Sequence, residues 1–203
     1  GQLLTEIQKY YPFADKKITK YAEPFIGGGA VLFDVLNRYD LSEVYISDIN
    51  AELVNCYWVA QQRVEELIQA LTKMQDEYLP LNHEKRREYY AEKRARFNEL
   101  KNGEKKKGDI EKAALMIFLN RTCFNGLFRV NKKGQFNVPM GAYKNPIICD
   151  AQNLRAVSQK LKAVKIVCGD YKKSEVFVDE NTFVYFDPPY RPLTETSNFT
   201  SYT

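Results

Sequence analysis

One stretch near the N-terminus constrains the fold most, because it contains strands, a helix and a glycine turn in a recognisable order. Thr19–Phe25 reads as a short strand that runs into glycines at positions 27–29. Ala30–Asn37 then has apolar residues at helical spacing, and Glu43–Ser47 is a second apolar strand that ends at Asp48. This order predicts half of a doubly wound α/β unit built on a parallel sheet.

The pattern changes in the middle of the chain. Asn50 is expected to cap a long helix that continues to about Leu71. Residues 72–121 are charged, tyrosine-rich and helical in pattern. Two short strand-like segments, Leu127–Val130 and Gln135–Val138, flank a turn that contains glycine. They predict a β-hairpin with a basic turn.

The α/β pattern resumes after this region. Asp150 is expected to cap the helix Ala151–Leu161, and strands are expected at Lys165–Val167 and Thr182–Phe186. We therefore predict an α/β protein with a Rossmann-like sheet and an inserted, mostly helical domain that carries the hairpin. The predicted domains are residues 1–71 with 151–203, and residues 72–150.

Composition excludes several classes of protein. A hydrophobic content of 44% suits a folded core. No apolar run approaches the ~20 residues that a membrane span needs, and no signal peptide is evident, so we expect a soluble cytosolic protein. With scattered cysteines and one histidine, His83, we expect reduced thiols and no metal site. The cysteines are Cys56, Cys123, Cys149 and Cys168.

Positive charge is concentrated in one segment, although the net charge is only +4. Ten Lys or Arg residues and four Glu residues lie between Lys85 and Lys107. One interpretation is a solvated helix with ion pairs such as Glu92–Arg96 at i,i+4. The other is a surface that follows a phosphate backbone. Charge alone favours the solvated helix.

The glycine turn predicts a ligand site. Gly27, Gly28 and Gly29 allow a ligand to approach the backbone closely, and the helix that follows presents free N–H groups. Asp48, at the end of the next strand, suits a carboxylate that accepts hydrogen bonds from both ribose hydroxyls of a nucleoside. The GxGxxG spacing typical of pyrophosphate binding is absent. The turn and Asp48 therefore suit a nucleoside cofactor without a pyrophosphate, such as S-adenosylmethionine.

Asp187–Tyr190 (DPPY) is the most informative motif in the chain. Two prolines supply no backbone N–H donors and stiffen the turn, while their carbonyls can face a ligand beside the Asp187 carboxylate. Such a set of acceptors suits an amino group that has two hydrogens to donate, and Tyr190 offers a flat face for a base. The alternative is a rigid turn at the end of a strand.

Together these motifs resemble the Dam-type DNA adenine methyltransferases. In that family the glycine motif comes first, the target-recognition region is inserted in the middle, and DPPY follows. The resemblance covers nearly the whole chain. It rests on Glu23–Gly29 (EPFIGGG), Asp48–Asn50 (DIN), Arg121–Arg129 (RTCFNGLFR), Gly134–Pro139 (GQFNVP), Tyr143–Lys144 and Asp187–Tyr190.

The resemblance implies an enzyme that transfers a methyl group from S-adenosylmethionine to the N6 amino group of a flipped adenine. The implied cofactor-binding residues are Glu23, Pro24, Phe25, Gly27, Gly28, Gly29, Asp48, Ile49, Asn50, Asp170 and Tyr171. The implied catalytic residues, which would hold the flipped adenine, are Asp187, Pro188, Pro189 and Tyr190. No metal ion is implied.

The resemblance also implies a double-stranded DNA partner and recognition of GATC sites. Phe124 and Asn125 match a position that fills or probes the gap left by the flipped base, and the basic segment would then contact phosphates. An arginine in a hairpin suits readout of guanine in the major groove. The implied DNA-binding residues are Phe124, Asn125, Gly126, Leu127, Arg129, Asn137, Pro139, Tyr143 and Lys144.

The sequence departs from the family at its ends. Family members carry a Trp-x-Gly-Gly-Lys segment before the position that matches Gly1, and they continue beyond DPPY with a helix and further strands. We therefore expect a sheet truncated at both ends, in a monomeric, prokaryotic or phage-encoded protein without membrane association. Two alternatives are a methyltransferase for cytosine, RNA or a protein glutamine, and a non-catalytic DNA-binding fragment.

Overall fold

The computed structural model describes residues 2–102 and 107–189. The helices are α1 (Gln2–Gln8), α2 (Ala30–Arg38), α3 (Ala51–Gln62), α4 (Val64–Tyr78), α5 (His83–Asn102), α6 (Ile110–Thr122) and α7 (Ala151–Leu161). The strands are β1 (Lys20–Glu23), β2 (Glu43–Asp48), β3 (Val164–Cys168) and β4 (Thr182–Val184). Within the described ranges, no helix is long and apolar enough to cross a membrane.

The four strands form one parallel sheet in the order β3-β2-β1-β4. Tyr21 of β1 aligns with Val44 on one side and Phe183 on the other, and Ile46 of β2 aligns with Ile166 of β3. The chain therefore builds outward from β1 to β3 and then returns to add β4 on the other side of β1. The predicted α/β class is confirmed, with a sheet consistent with a Rossmann-like methyltransferase fold.

Two predicted helix caps are present. The Asn50 side-chain oxygen accepts hydrogen bonds from the backbone N–H groups of Glu52 and Leu53, each at 3.1 Å. The Asp150 carboxylate accepts one from Asn153, also at 3.1 Å. Both side chains satisfy N–H groups that a helix start leaves without an intrahelical partner, so α3 and α7 begin where the sequence predicts.

The long helix predicted after Asn50 is divided in two. Arg63 leaves the helical conformation, with φ −139° and ψ 40°, and separates α3 from α4. Its backbone N–H closes α3 on Val59, and its carbonyl accepts from Leu67 to open α4. Its side chain pairs with Glu66. Because α4 continues to Tyr78, the predicted domain boundary at 71–72 lies inside this helix.

The predicted hairpin is present as a short antiparallel turn whose two sides are too short to count as strands. Residues 123–150 are all described and contain no named strand, only isolated bridges such as Val130 with Phe136. The turn itself is closed by a 2.8 Å hydrogen bond from the Asn131 N–H to the Gln135 carbonyl. The antiparallel pairing that the hairpin prediction requires is present between Val130 and Phe136, but it is too short to form strands. A helix side chain binds the outer edge of Phe136, where Asn98 of α5 pairs with both the N–H and the carbonyl.

The hydrophobic core is continuous between the sheet and the helices of the middle region. Tyr21 and Ile46 of the sheet, Leu32 of α2, Phe97 of α5 and Phe118 of α6 are all completely buried and belong to one cluster. α6 packs against α3, α4 and α5. The middle region is therefore anchored on the sheet through α3, which holds it in a fixed position relative to the strand ends.

Candidate cofactor cavity and nucleic-acid surface

A cavity of about 580 Å³ opens at the carboxyl ends of all four strands. Ligands of open α/β sheets bind at this edge, at the point where the strand order reverses, and here that point lies between β1 and β4. The predicted residues that line it are Glu23, Pro24, Phe25, Gly27, Gly28, Gly29, Asp48, Ile49, Asp170, Tyr171, Asp187 and Pro189. The topology thus brings together residues that are up to 166 positions apart, from Glu23 to Pro189.

The glycine turn between β1 and α2 forms one wall of the cavity and needs its glycines. Gly27 and Gly29 have φ angles of 46° and 71°, which side chains with a Cβ rarely adopt. A Cβ at Gly29 would also lie 2.6 Å from the Tyr57 hydroxyl. The Tyr57 hydroxyl donates a 2.9 Å hydrogen bond to the Gly27 carbonyl, so α3 holds the turn in place.

Asp48 lies at the end of β2 and links the glycine turn to the cap of α3. One carboxylate oxygen accepts a 3.2 Å hydrogen bond from the Gly27 N–H, and the other accepts a 2.9 Å bond from the Asn50 N–H. Asn50 is not part of the cavity lining, and its side chain caps α3 instead. Asp48 can still accept further hydrogen bonds, because a carboxylate has about four lone-pair sites.

Glu23, the last residue of β1, is a buried carboxyl group in the cavity wall, with only 3% of its surface exposed. Burial raises its pKa to about 8, and the negative charge of Asp187 acts in the same direction. Hydrogen bonds from the Tyr21 hydroxyl, at 2.7 Å, and from the Leu32 backbone lower the pKa in part. A positively charged ligand group in the cavity would stabilise the ionised form.

Three aromatic rings form a group at the cavity, and two of them, Phe25 and Tyr171, line it. Phe25 and Tyr171 are stacked, with ring centroids 5.7 Å apart and an interplanar angle of 27°. Phe186 lies 6.1 Å from Phe25 and 6.3 Å from Tyr171. Tyr171 and Phe186 keep about half of their surfaces exposed, so this group can accept a flat heterocycle.

The DPPY segment begins one residue after Phe186. The backbone N–H of Tyr185 donates to the Ala22 carbonyl at 2.9 Å, which extends the contact of β4 with β1 as far as the motif. Asp187 and Pro189 then line the cavity, whereas Pro188 is exposed outside the lining. Tyr190 lies outside the described residues. The Asp187 carboxylate therefore shares the cavity with the predicted cofactor residues.

Some lining residues were not singled out in the sequence. These are Ile26, Ala30, Val31, Gly169 and Tyr185. Ile26 is part of the glycine motif, and Gly169 immediately precedes Asp170. Their places beside predicted site residues could therefore have identified them as lining residues. A Cβ at Gly169, whose φ is 148°, would lie 2.5 Å from the Lys173 ammonium nitrogen. The role of Phe186 in the aromatic group depends on tertiary contacts that no local pattern reveals.

The predicted DNA-binding residues lie in two adjacent loops. The Phe124 N–H donates to the Pro139 carbonyl at 2.9 Å, which joins the loop after α6 to the segment after the turn. Phe124, Leu127 and Tyr143 are large side chains exposed to solvent. Asn125, with φ 54°, is the only non-glycine residue with positive φ in the described ranges, and Gly126 follows it with φ 61°. The surface thus presents apolar and polar groups together.

Arg129 and Asn137 form a pair across the turn. The Arg129 Nε donates to the Asn137 side-chain oxygen at 2.9 Å, and the Asn137 N–H donates to the Arg129 carbonyl at 3.2 Å. The first bond holds the guanidinium group against the Asn137 side chain, and the second joins the two backbones across the turn. Gly126, Pro139 and Lys144 are exposed on the same two loops.

Comparison with known proteins identifies the family. The sequence pattern of the D12 class of N6 adenine-specific DNA methyltransferases matches residues 1–203. The chain belongs to this family. The predicted relationship to adenine methyltransferases is thereby confirmed.

Individual relatives agree with the family assignment. The type II methyltransferase M.MjaIII of Methanocaldococcus jannaschii is 52% identical over the whole chain, and M1.LlaDCHI of Lactococcus lactis subsp. cremoris is 42% identical over the same length. The DNA adenine methylase of Escherichia coli K12 is 34% identical over 98% of the chain. The chain spans 70%, 66% and 65% of these three proteins, so this D12 chain corresponds to about two thirds of their length.

Proposed function

We propose that this D12 chain is the cofactor-binding and target-recognition part of an enzyme that methylates N6 of adenine in double-stranded DNA, with S-adenosylmethionine as the methyl donor. One observation carries the proposal: the glycine turn, Asp48, Glu23, the aromatic group and Asp187 all meet in one cavity at the switch point of the sheet. The family assignment supports the choice of adenine and DNA.

The cavity fits the proposed cofactor in size and in chemistry. Its volume of about 580 Å³ lies within the range of small-molecule sites, ~300–1,000 Å³. Asp48 can accept hydrogen bonds from ribose hydroxyls, and Phe25 and Tyr171 can pack on the adenine ring. Glu23, whose charged neighbour is another carboxylate, suits a cofactor that carries positive charge on sulfur and on nitrogen. When bound, S-adenosylmethionine supplies an electrophilic methyl group.

The proposed chemistry requires Asp187 to act on the adenine amino group. That nitrogen is a poor nucleophile because its lone pair is delocalised into the ring. Acceptance of its N–H hydrogens by Asp187 and by the Pro188 carbonyl would draw the nitrogen towards tetrahedral geometry and direct the lone pair at the methyl carbon. The cofactor held in the cavity would supply the methyl group and keep the electron pair of the broken carbon–sulfur bond, while the amino nitrogen would gain the methyl carbon and lose one proton to water.

The proposed substrate base must first leave the duplex. Flipping costs a few kcal/mol, which stacking on Tyr190 and hydrogen bonds to the DPPY segment would offset. Phe124 and Asn125, exposed on the loop after α6, would fill the gap that the flipped adenine leaves. In this arrangement residues 1–71 and 151–203 would contribute the catalytic domain, and residues 72–150, which begin inside α4, would contribute the recognition domain.

We propose GATC as the recognition site. The proposed reading residues are Leu127, Arg129, Pro139 and Tyr143, of which Leu127, Pro139 and Tyr143 are exposed. In the major groove, an arginine can donate to two acceptors of guanine, and apolar groups contact the thymine methyl. The hydrogen bond that the Arg129 Nε donates to the Asn137 side-chain oxygen restricts the guanidinium before DNA binds, which favours a defined reading position.

Replacement of Asp48 with alanine tests the cofactor assignment. We expect binding of S-adenosylmethionine, measured by calorimetry, to weaken at least about tenfold, because charge-assisted hydrogen bonds to the ribose contribute ~1.5–3 kcal/mol each. Asp40→Ala, an exposed change at the opposite edge of the sheet, serves as the matched control and should bind normally. Unchanged affinity in a folded Asp48→Ala protein would contradict the ribose role.

A further inference from the structure

We propose that one face of α5, formed by Arg86, Tyr90, Arg94 and Asn98, positions the recognition segment 136–144, and that Arg86 and Asn98 are positioning residues for site recognition. The inference rests on the proposed function, because it assumes that this segment reads DNA. It assigns to part of the basic helix a role inside the protein.

The four side chains recur at every fourth position of α5, so they lie in one row along the helix. Each of them donates a hydrogen bond to a backbone carbonyl within the recognition segment. The row therefore runs alongside the segment for about three helical turns.

Asn98 and Tyr90 hold the first part of the segment. Asn98 accepts from the Phe136 N–H at 2.8 Å and donates to the Phe136 carbonyl at 3.1 Å, which is the pair of bonds that a strand partner would form. The Tyr90 hydroxyl donates to the Val138 carbonyl at 2.8 Å, and Arg94 donates to the same oxygen at 3.3 Å. Phe136, Val138 and Tyr90 are buried, so these bonds are shielded from water.

Arg86 holds the last part of the segment. One terminal nitrogen donates to the Lys144 carbonyl at 2.7 Å and lies 3.4 Å from the Tyr143 carbonyl. The other nitrogens donate to the Tyr78 and Leu79 carbonyls at the end of α4, and the guanidinium lies over the Tyr78 ring at 5.0 Å. Arg86 thus ties Tyr143 and Lys144 to α4, while their exposed side chains face outward.

Many of the other basic side chains in this segment also bind groups of the protein itself. Arg96 pairs with Glu111 at 2.7 Å and with Glu99, rather than with the expected Glu92. Lys93 and Lys101 also pair with carboxylates, and Lys107 lies over the Trp58 ring. Exposed Arg87, next to Arg86 on the helix, has the same charge but points away from the row. A comparison of Arg86 and Arg87 variants can therefore distinguish a positioning role from an effect of positive charge alone.

The first test measures the segment without DNA. Amide hydrogen exchange of residues 136–144 should be faster in Arg86→Ala and in Asn98→Ala than in the unmodified protein, and unchanged in Arg87→Ala. Arg86→Lys keeps the charge but cannot bridge four carbonyls in a fixed plane, so it should resemble Arg86→Ala. Because this readout requires neither methylation nor DNA, it separates failure of this inference from failure of the proposed function. Equal exchange in all variants would overturn the inference.

The second test measures discrimination between a GATC duplex and duplexes with one changed base pair. Arg86→Ala and Arg86→Lys should lower the ratio of methylation rates by about tenfold, since misplaced side chains lose base contacts. Their cofactor affinity should stay normal, and Arg87→Ala should keep the ratio. The contrary result is that Arg86→Ala weakens binding to all duplexes equally and lowers the slope of log affinity against log salt concentration by about one. In that case Arg86 contacts a phosphate and the inference is wrong.

Discussion

Replacement of Asp187 with alanine is expected to lower the rate of methyl transfer by about a hundredfold to a thousandfold, in line with the loss of a group that stabilises a transition state. Asp187 lines the cavity and acts electrostatically on Glu23, so it lies beside the proposed cofactor site. Loss of the carboxylate removes the acceptor for the adenine amino group but leaves the recognition loops intact. Single-turnover kinetics with a saturating GATC duplex would measure the effect directly.

Binding provides the control for this variant. Affinity for DNA and for S-adenosylmethionine should change by no more than a few-fold, because Asp187 acts on the reacting nitrogen. Asp40→Ala, which removes an exposed carboxylate at the other edge of the sheet, should retain the full rate. A folded Asp187→Ala protein with near-normal turnover would show that the DPPY segment does not hold the amino group.

Glu23→Gln is expected to change the pH dependence of both cofactor binding and stability. The pKa of Glu23 is raised to about 8 in the folded protein, mainly by burial, against 4.5 for an ordinary glutamate. Between these two pH values the folded state binds a proton that the unfolded chain releases. Stability from this proton is therefore complete below about pH 4.5 and is lost as the pH rises to about 8, by at most ~1.4 kcal/mol per pH unit.

Cofactor affinity should follow the opposite trend. A cationic cofactor favours ionised Glu23, so binding releases a proton and tightens as the pH rises, by up to about tenfold per unit below pH 8. The phenols around Glu23 do not obscure this change, because burial raises the pKa values of Tyr21 and Tyr57 above their ordinary value. Calorimetry in buffers of different ionisation enthalpy would count the released proton.

The glutamine variant removes both trends. It should bind S-adenosylmethionine more weakly than the unmodified protein at pH 8, with little dependence on pH, yet melt at a higher temperature at that pH. Glu43→Gln, an exposed change at the start of β2, should behave like the unmodified protein. If cofactor binding still releases a proton in Glu23→Gln, the pH dependence of binding comes from another group.

The sheet and its caps were predictable because their signals are local. β1, α2 and β2 follow from apolar periodicity around the glycine turn, and Asn50 and Asp150 are residues that commonly accept hydrogen bonds from helix starts. The cavity followed from topology: once the strands are parallel, their carboxyl ends place Asp48 and Asp187 on one edge. The sequence therefore predicted most of the residues that line the cavity.

The remaining features depend on tertiary contacts. Nothing at Arg63 signals a helix break, since it is neither glycine nor proline. The 127–138 region has strand-like residues, but only Val130 and Phe136 pair across the turn, and Asn98 of α5 binds the outer edge of Phe136. Spacing favoured Glu92 as the partner of Arg96, whereas folding brings Glu111 closer. The raised pKa of Glu23 likewise results from burial, which a single sequence does not display.

One measurement tests the central proposal most directly: methyl transfer from labelled S-adenosylmethionine to two duplexes, one with a GATC site and one with that site scrambled. The products are digested to nucleosides and identified by mass spectrometry. We predict N6-methyladenine in the GATC duplex only. A folded protein that binds S-adenosylmethionine yet forms no N6-methyladenine, or that methylates another base, would contradict the proposed function, and equal methylation of both duplexes would contradict the GATC assignment.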